Sequence, residues 1–195
     1  MTDPDATLLD ALRAGDEAAF ASLVSRHHTR LLRFAESLVP SRAVAEEVVQ
    51  DTWLGVVRGI DRFEGRSSVK TWLFRILINR ARTAGAREPR HSPLGPNDVL
   101  EGRFDASGHW EQPPEPWADA IDARVVADKL AQRVKECLPQ LPDAQRQVLT
   151  LRDIEGIDAT DVCELLGVSA GNQRVLLHRA RTRIRNILEA EMGGS

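Results

Sequence analysis

The chain has 195 residues, of which 42% are hydrophobic, 28% charged and 5% aromatic, with no Tyr and a formal net charge of −3. That length allows one domain of ordinary size or two small ones, and aliphatic residues must fill the core. No apolar run approaches the roughly 20 residues of a membrane span. The acidic start lacks the apolar segment of a signal peptide, so a cytoplasmic protein is expected. Cys137 and Cys163 stand alone at apolar positions of helical patterns. They read as buried thiols, not as a metal site or a disulfide framework.

The composition, rich in Ala, Leu, Val, Arg and Glu, predicts an all-α protein. Thr7 can cap a short first helix that Gly15 closes. A long second helix follows Asp16, with Phe20, Leu23, Val24, Leu31, Phe34, Ala35 and Leu38 at helical spacing, and Pro40 ends it. A third starts after Ser41 and is expected to bury Val44, Val48, Val49, Thr52, Trp53, Val56, Val57 and Ile60. The loop Phe63–Ser68 leads to a fourth helix, from about Val69 to Ala86, both apolar and basic.

Six of the ten prolines lie between Pro89 and Pro116. The stretch 89–121 has no helical or strand period and reads as an extended acidic linker between two folded parts. Trp110 and Trp117 can pin it to a surface or cap the edge of a core. The C-terminal part, 122–192, carries an apolar stripe through Leu130, Val134, Cys137, Leu138 and Leu141. Asp143 can cap a helix from Ala144 to Asp153, and Asp158-Ala-Thr-Asp161 opens a short one running to Leu166. A long basic helix follows, from Ala170 to about Glu189.

The mild net acidity hides a segregated charge. From Arg62 to His91 there are eight basic residues against two acids, and from Ser92 to Asp128 two Arg against eight acids. From Gly167 to Ile187 there are five Arg and no acid. Two basic blocks around an acidic one suggest two contacts with a polyanion, although solvated helix faces are the plainer reading of any charge run.

Residues 160–185 have helix-turn-helix spacing. Gly167 supplies the positive φ of a tight turn and Ser169 caps the second helix. Val162, Leu165 and Leu166 are expected to face Val175, Leu176, Ile184 and Leu188. In that geometry the first residues of the second helix meet base edges and later Arg meet phosphates. Asn172, Gln173 and Arg174 suit direct readout, Asn or Gln for adenine and Arg for guanine. His178, Arg179, Arg181, Arg183 and Arg185 suit phosphate contacts.

These motifs carry a family resemblance. Leu141-Pro-Asp-Ala-Gln-Arg-Gln-Val-Leu-Thr-Leu-Arg-Asp-Ile-Glu-Gly-Ile157 resembles region 4.1 of bacterial RNA polymerase sigma factors. The segment from Leu165-Leu-Gly-Val-Ser to Leu177-His-Arg-Ala-Arg181 resembles region 4.2, the reader of the −35 element. Ala45-Glu-Glu-Val-Val-Gln-Asp-Thr-Trp53 resembles region 2.2, which docks on the polymerase clamp. Phe63-Glu-Gly-Arg and Thr71-Trp-Leu-Phe-Arg-Ile-Leu-Ile-Asn-Arg80 resemble regions 2.3 and 2.4, which open and read the −10 element. The motifs fall in family order and cover nearly all the chain outside the linker. The missing middle domain is similar to the extracytoplasmic-function (ECF) group.

The resemblance implies two helical domains, a region 2 bundle over 1–88 and a region 4 helix-turn-helix over 122–192. It implies core RNA polymerase (the β′ clamp and β flap), promoter DNA and a separate anti-sigma factor as partners, with no cofactor, no metal and no enzymatic activity. Glu47, Gln50, Asp51 and Trp53 are the implied polymerase contacts, although Trp53 serves equally well as a core residue. For the −10 element the implied residues are Phe63, Arg66, Ser67, Ser68, Trp72, Arg75, Asn79, Arg80 and Arg82. Phe63 and Trp72 can stack on bases or pack inward. For the −35 element they are Ser169, Asn172, Gln173, Arg174, His178, Arg179 and Arg181. Family recognition helices often carry Lys-Ser-Arg where this chain has Arg174-Val175-Leu176. Val175 and Leu176 can thicken the core or meet a thymine methyl.

Two other classes compete. A stand-alone helix-turn-helix regulator would bind duplex DNA without polymerase and would not need the Gln50–Trp53 surface. An enzyme would need a phosphate loop, a GxSxG elbow or a metal-spaced cluster, and the sequence has none. His27 and His28 are neighbours on a helix, about 100° apart, and do not readily share a metal.

Overall fold

A computed structural model describes residues 8–85 and 132–192. The linker, with Trp110 and Trp117, and the Thr7 cap lie outside the described residues. Among the described residues all regular structure is helical. In chain order these are α1 (Leu9–Arg13), α2 (Glu17–Ala35), α3 (Arg42–Gly59), a 3-10 turn (Ile60–Arg62), α4 (Val69–Gly85) and α5 (132–137). A second 3-10 turn (Leu138–Gln140), α6 (Asp143–Leu149), a π-helical turn (Thr150–Ile154), α7 (Ala159–Leu166) and α8 (Ala170–Met192) complete them. The described residues fall into two units, 8–85 with 150–168, and 132–149 with 169–192.

The expected starts of the N-terminal helices follow from side-chain chemistry. Asp16 sits extended and accepts from the amides of Ala18 and Ala19 at 2.8 and 3.2 Å, satisfying two of the orphan donors of α2. Ser41 does the same for Val44 at the start of α3, at 3.3 Å. The helices then bury one stripe each, including Leu23, Leu31 and Phe34 of α2, Val48, Val49 and Val56 of α3, and Leu73, Phe74 and Leu77 of α4. Phe34 and Phe74 meet edge to face with centroids 5.2 Å apart, the arrangement the ring quadrupoles favour. Thr52, buried mid-helix, donates its hydroxyl to the Val48 carbonyl at 2.7 Å, so no polar atom of its side chain is left unsatisfied. A Cβ at Gly55 would stand 3.0 Å from Ile76 Cγ2, and the glycine therefore lets α3 and α4 approach closely.

Four expectations are corrected. Val57, expected in the core, is 57% exposed because the stripe Val49, Trp53, Val56 and Ile60 already fills the buried face of α3. The single helix expected over Ala144–Asp153 is instead α6 followed by the π turn. There Glu155 N bonds to Thr150 O at 2.9 Å, and the extra residue in that turn lets Val148, Leu149 and Leu151 all be buried. Asp143 does not precede α6 but begins it, and its carboxylate pairs with Arg146 at 2.5 Å. Cys137 is buried as expected, whereas Cys163 is half-buried.

In the first unit, 150–168 packs with the N-terminal bundle. Leu151, Ile157, Val162 and Leu165 belong to the same continuous core as the stripes of α2, α3 and α4. In the second, α6 packs on α8, which buries Leu176, Leu177, Ala180, Ile184 and Leu188 at helical spacing.

Candidate nucleic-acid interface

α3 carries a second face besides its buried one. Glu47, Gln50, Asp51, Leu54, Val57 and Arg58 are exposed, spaced by three and four residues, and so share one side of the helix. Leu54 and Val57 are the exposed large hydrophobic residues among the described residues, at 52% and 57%. Leu54 is not singled out by the sequence pattern, and Val57, expected in the core, stands outside it. The available signal was apolar residues left over once the core stripe was complete. Two apolar side chains beside a carboxylate and an amide form a mixed surface suited to another protein. Trp53 does not join it. It is 8% exposed, meets Phe20 edge-on at 5.9 Å, and donates its indole N–H to His28 Nδ1 at 3.3 Å. The core reading of Trp53 therefore holds in this structure.

The loop before α4 is built from its ends. Arg13 donates to the Phe63 carbonyl at 2.7 Å, a tie from α1 that the sequence did not reveal. Phe63 is 7% exposed and lies against Trp72 with ring centroids 4.7 Å apart, so this pair packs inward and the Phe63 ring is not presented to solvent. Arg66 is exposed and paired with Glu64 at 2.6 Å. Ser67 is half-buried, its hydroxyl 3.4 Å from the Ser68 carbonyl. Ser68 caps α4, accepting from Thr71 N at 3.0 Å while its hydroxyl contacts Thr71 Oγ1 at 3.0 Å. Ser68→Ala should therefore cost about 1 kcal/mol, read as a fall in thermal midpoint, whereas Ser67→Ala should leave the midpoint unchanged.

On α4, Arg75, Asn79, Arg80 and Arg82 are exposed along the helix surface, while Leu73, Phe74, Leu77 and Ile78 are buried. Two of the four are engaged by residues of the 150–168 segment. Arg75 pairs with Glu164 at 3.1 Å, and Arg82 donates to the Leu165 carbonyl at 2.8 Å. Lys70, not singled out from sequence, donates to the Glu155 carbonyl at 2.6 Å.

The expected turn is present. Gly167 ends α7 with φ 70 and ψ 37, the left-handed conformation that costs glycine nothing, and its amide bonds to Cys163 O. Ser169 Oγ accepts from Asn172 N at 3.2 Å, capping α8. Asn172 and Arg174 are exposed, as is Arg181, and His178 and Arg179 are half-buried. Gln173 differs from expectation. At 3% exposure it lies on the same stripe as Leu176, Leu177 and Ala180, so its amide is withdrawn from the outward face of α8. Leu176 is buried too, which assigns it to the core, while Val175 is half-buried. The two exposed positions nearest the start of α8 that suit base edges are Asn172 and Arg174.

Comparison with known proteins agrees with this arrangement. The family model of Sigma-70 region 2 matches residues 23–90, and that of Sigma-70 region 4 matches residues 131–184. The ECF RNA polymerase sigma-E factor of Haemophilus influenzae is 29% identical over 191 residues, covering 96% of this chain and 97% of the relative. Among solved structures, CnrH in complex with the cytosolic domain of CnrY aligns over 96% of this chain and 99% of that one, with a TM-score of 0.56 and 25% identity. The sigma factor RpoE of Bartonella quintana, solved with the anti-sigma factor NepR, aligns over 87% of this chain and 96% of that one, at a TM-score of 0.52 and 25% identity. Both family models fall on the parts that carry the basic helices, in the order the motifs predict. The chain belongs to the sigma-70 family, as an RNA polymerase sigma factor of the ECF type that acts in promoter-specific transcription initiation.

Proposed function

We propose that the work is divided along the chain. Residues 1–88 dock on core polymerase and open the −10 element, 89–121 tether the two modules, and 122–192 read the −35 element. The observation that carries the docking role is the outward face of α3, where Gln50 and Asp51 stand beside exposed Leu54 and Val57. A monomeric helix gains nothing by presenting those methyl groups to water, whereas a partner helix buries them.

Asn79 and Arg80 line the outer surface of α4 as the −10 readers, with Arg66 at the loop in support of the displaced strand. Asn172 and Arg174 are the −35 base readers, and Arg181 with Arg179 and His178 follow the backbone. Phe63 and Trp72 shape the loop from inside, holding exposed backbone toward the opened strand. The chain is a non-catalytic subunit, working in the cytoplasm with the polymerase. An anti-sigma factor is its regulator: the aligned RpoE structure holds the anti-sigma factor NepR, and the aligned CnrH structure holds the cytosolic domain of CnrY. No described helix is long and apolar enough to cross a membrane.

The residue assignments are tested by run-off transcription on a promoter library randomised at both elements. Asn79→Ala should flatten base preference at the −10 element alone, and Arg174→Ala at the −35 element alone, each losing about 1–3 kcal/mol of discrimination at its own position. If either substitution flattened both elements equally, or neither, the assignment would be wrong.

A further inference from the structure

α1 precedes the region 2 match, which begins at residue 23, yet its last residue is bonded to the loop before α4. The base of the Arg13 side chain is fixed. Leu12 beside it is buried in the core of the bundle, and the Gly15 and Asp16 amides bond back to the Leu12 and Ala11 carbonyls at 3.1 and 3.0 Å. From there the guanidinium reaches the Phe63 carbonyl at 2.7 Å, the short end of the charge-assisted range. A longer contact, to Asp10 at 3.4 Å, is with a carboxylate 95% exposed and contributes little. The bond to Phe63 is therefore what orders the Arg13 side chain.

At Phe63 the 3-10 turn gives way to extended backbone, at φ −73 and ψ 111. The residue is gripped on three sides. Its amide bonds to Ile60 O at 3.2 Å, its ring lies against Trp72 with centroids 4.7 Å apart, and its carbonyl accepts from Arg13. The chain then turns at Gly65, with φ 69, and is fixed again at Ser68, which caps α4. Residues 64–67 bridge these two anchors. Within the bridge the Glu64–Arg66 pair is largely exposed, at 64% and 83%, and does not tie the loop to the bundle. The path of the loop is set by its ends. Arg13 sets the direction in which the first end leaves, because the Phe63 carbonyl lies in the plane of the peptide that begins Glu64.

We infer that Arg13 is a positioning residue for −10 recognition: by pinning the Phe63–Glu64 peptide plane it holds residues 64–67 in the shape that receives the opened strand, without touching the strand itself. The inference rests on the assignment of this loop to the −10 element above. A receiving loop displaced by about 1 Å loses the contacts that depend on close fit. The expected signature is lost base discrimination at one element.

The test uses the full-length chain assembled with core polymerase, in run-off transcription on a promoter library randomised at both elements. Arg13→Met keeps an aliphatic stem and removes every donor. Arg13→Lys keeps a cation and a donor on a shorter reach. Both variants should stay folded, because the side chain is 40% exposed at a helix end and its removal opens no core cavity. Arg13→Met should flatten base preference at the −10 element by at least about fivefold, with the −35 preference and the affinity for core polymerase at wild-type values. Arg13→Lys should fall between wild type and Arg13→Met. A residue that met the strand directly would act differently, since losing a phosphate contact weakens binding evenly across sequences and lowers the salt slope by about 0.7 on a single strand. Holoenzyme binding to a labelled single-stranded DNA carrying the −10 sequence should therefore keep its wild-type salt slope in Arg13→Met. Wild-type −10 preference in Arg13→Met, equal flattening of both elements, no recovery in Arg13→Lys, or a salt slope lowered by one contact would each overturn the positioning role, while Asn79→Ala still flattens the −10 element and upholds the reading beneath it. If wild-type holoenzyme shows no −10 preference, that reading fails and the role of Arg13 fails with it.

Discussion

Replacing Leu54 and Val57 together by Arg should weaken binding to core polymerase by about 30-fold or more and leave the fold intact. Both side chains are more than half exposed, at 52% and 57%, so their removal opens no cavity, and surface changes of this kind move stability by about 0.5 kcal/mol at most. At an interface the same change removes two apolar anchors and forces two charges against a partner surface, a loss of about 2 kcal/mol or more. Trp53→Phe, four residues from Val57 but buried against Phe20, should do the reverse, lowering the thermal midpoint with little change in polymerase affinity for the protein that remains folded. Calorimetric melting and a binding titration against core polymerase separate the two outcomes. Equal affinity of the Leu54/Val57 double variant and the wild type would mean that the exposed face of α3 is not the docking surface.

Phe74→Ala should be severely destabilising, by about 3–5 kcal/mol. Phe74 is 1% exposed and its ring meets Phe34 edge-on at 5.2 Å, in the layer where α2 and α4 share the core. The substitution removes a ring from a close-packed site and strips Phe34 of its partner. Against the total of about 5–15 kcal/mol typical of a small domain, that is a large share of the available stability. Denaturant titration should show a lower midpoint in the N-terminal unit. Phe74→Leu, which keeps most of the volume, should recover much of the loss, and a full-strength midpoint for Phe74→Ala would contradict the packing described here.

The helix starts were legible because they depend on local chemistry. Asp16, Ser41 and Ser169 each sit where a polar oxygen meets free amides, and Gly167 where the chain needs positive φ. The family motifs likewise named the helices that face outward. What the sequence could not give depends on tertiary contacts. Val57 lies within helical reach of the buried stripe and only the neighbouring helices decide that it stays out. Gln173 carries a side chain suited to adenine, yet its position on α8 puts it on the buried stripe. Phe63 and Trp72 could have faced a base or each other, and the Arg13 tie to the Phe63 carbonyl is an interaction 50 residues apart that no local pattern encodes. The π turn at Thr150–Ile154 is similar, since apolar spacing alone reads as one continuous helix there.

Core polymerase should be supplied with a pool of genomic promoter fragments, with and without the purified chain, and the transcript starts mapped. The structure predicts a discrete set of new starts that appears only with the chain and disappears with Asp51→Arg. A start pattern indifferent to the chain, together with tight binding of the chain alone to duplex promoter DNA, would contradict it and make the protein a stand-alone regulator.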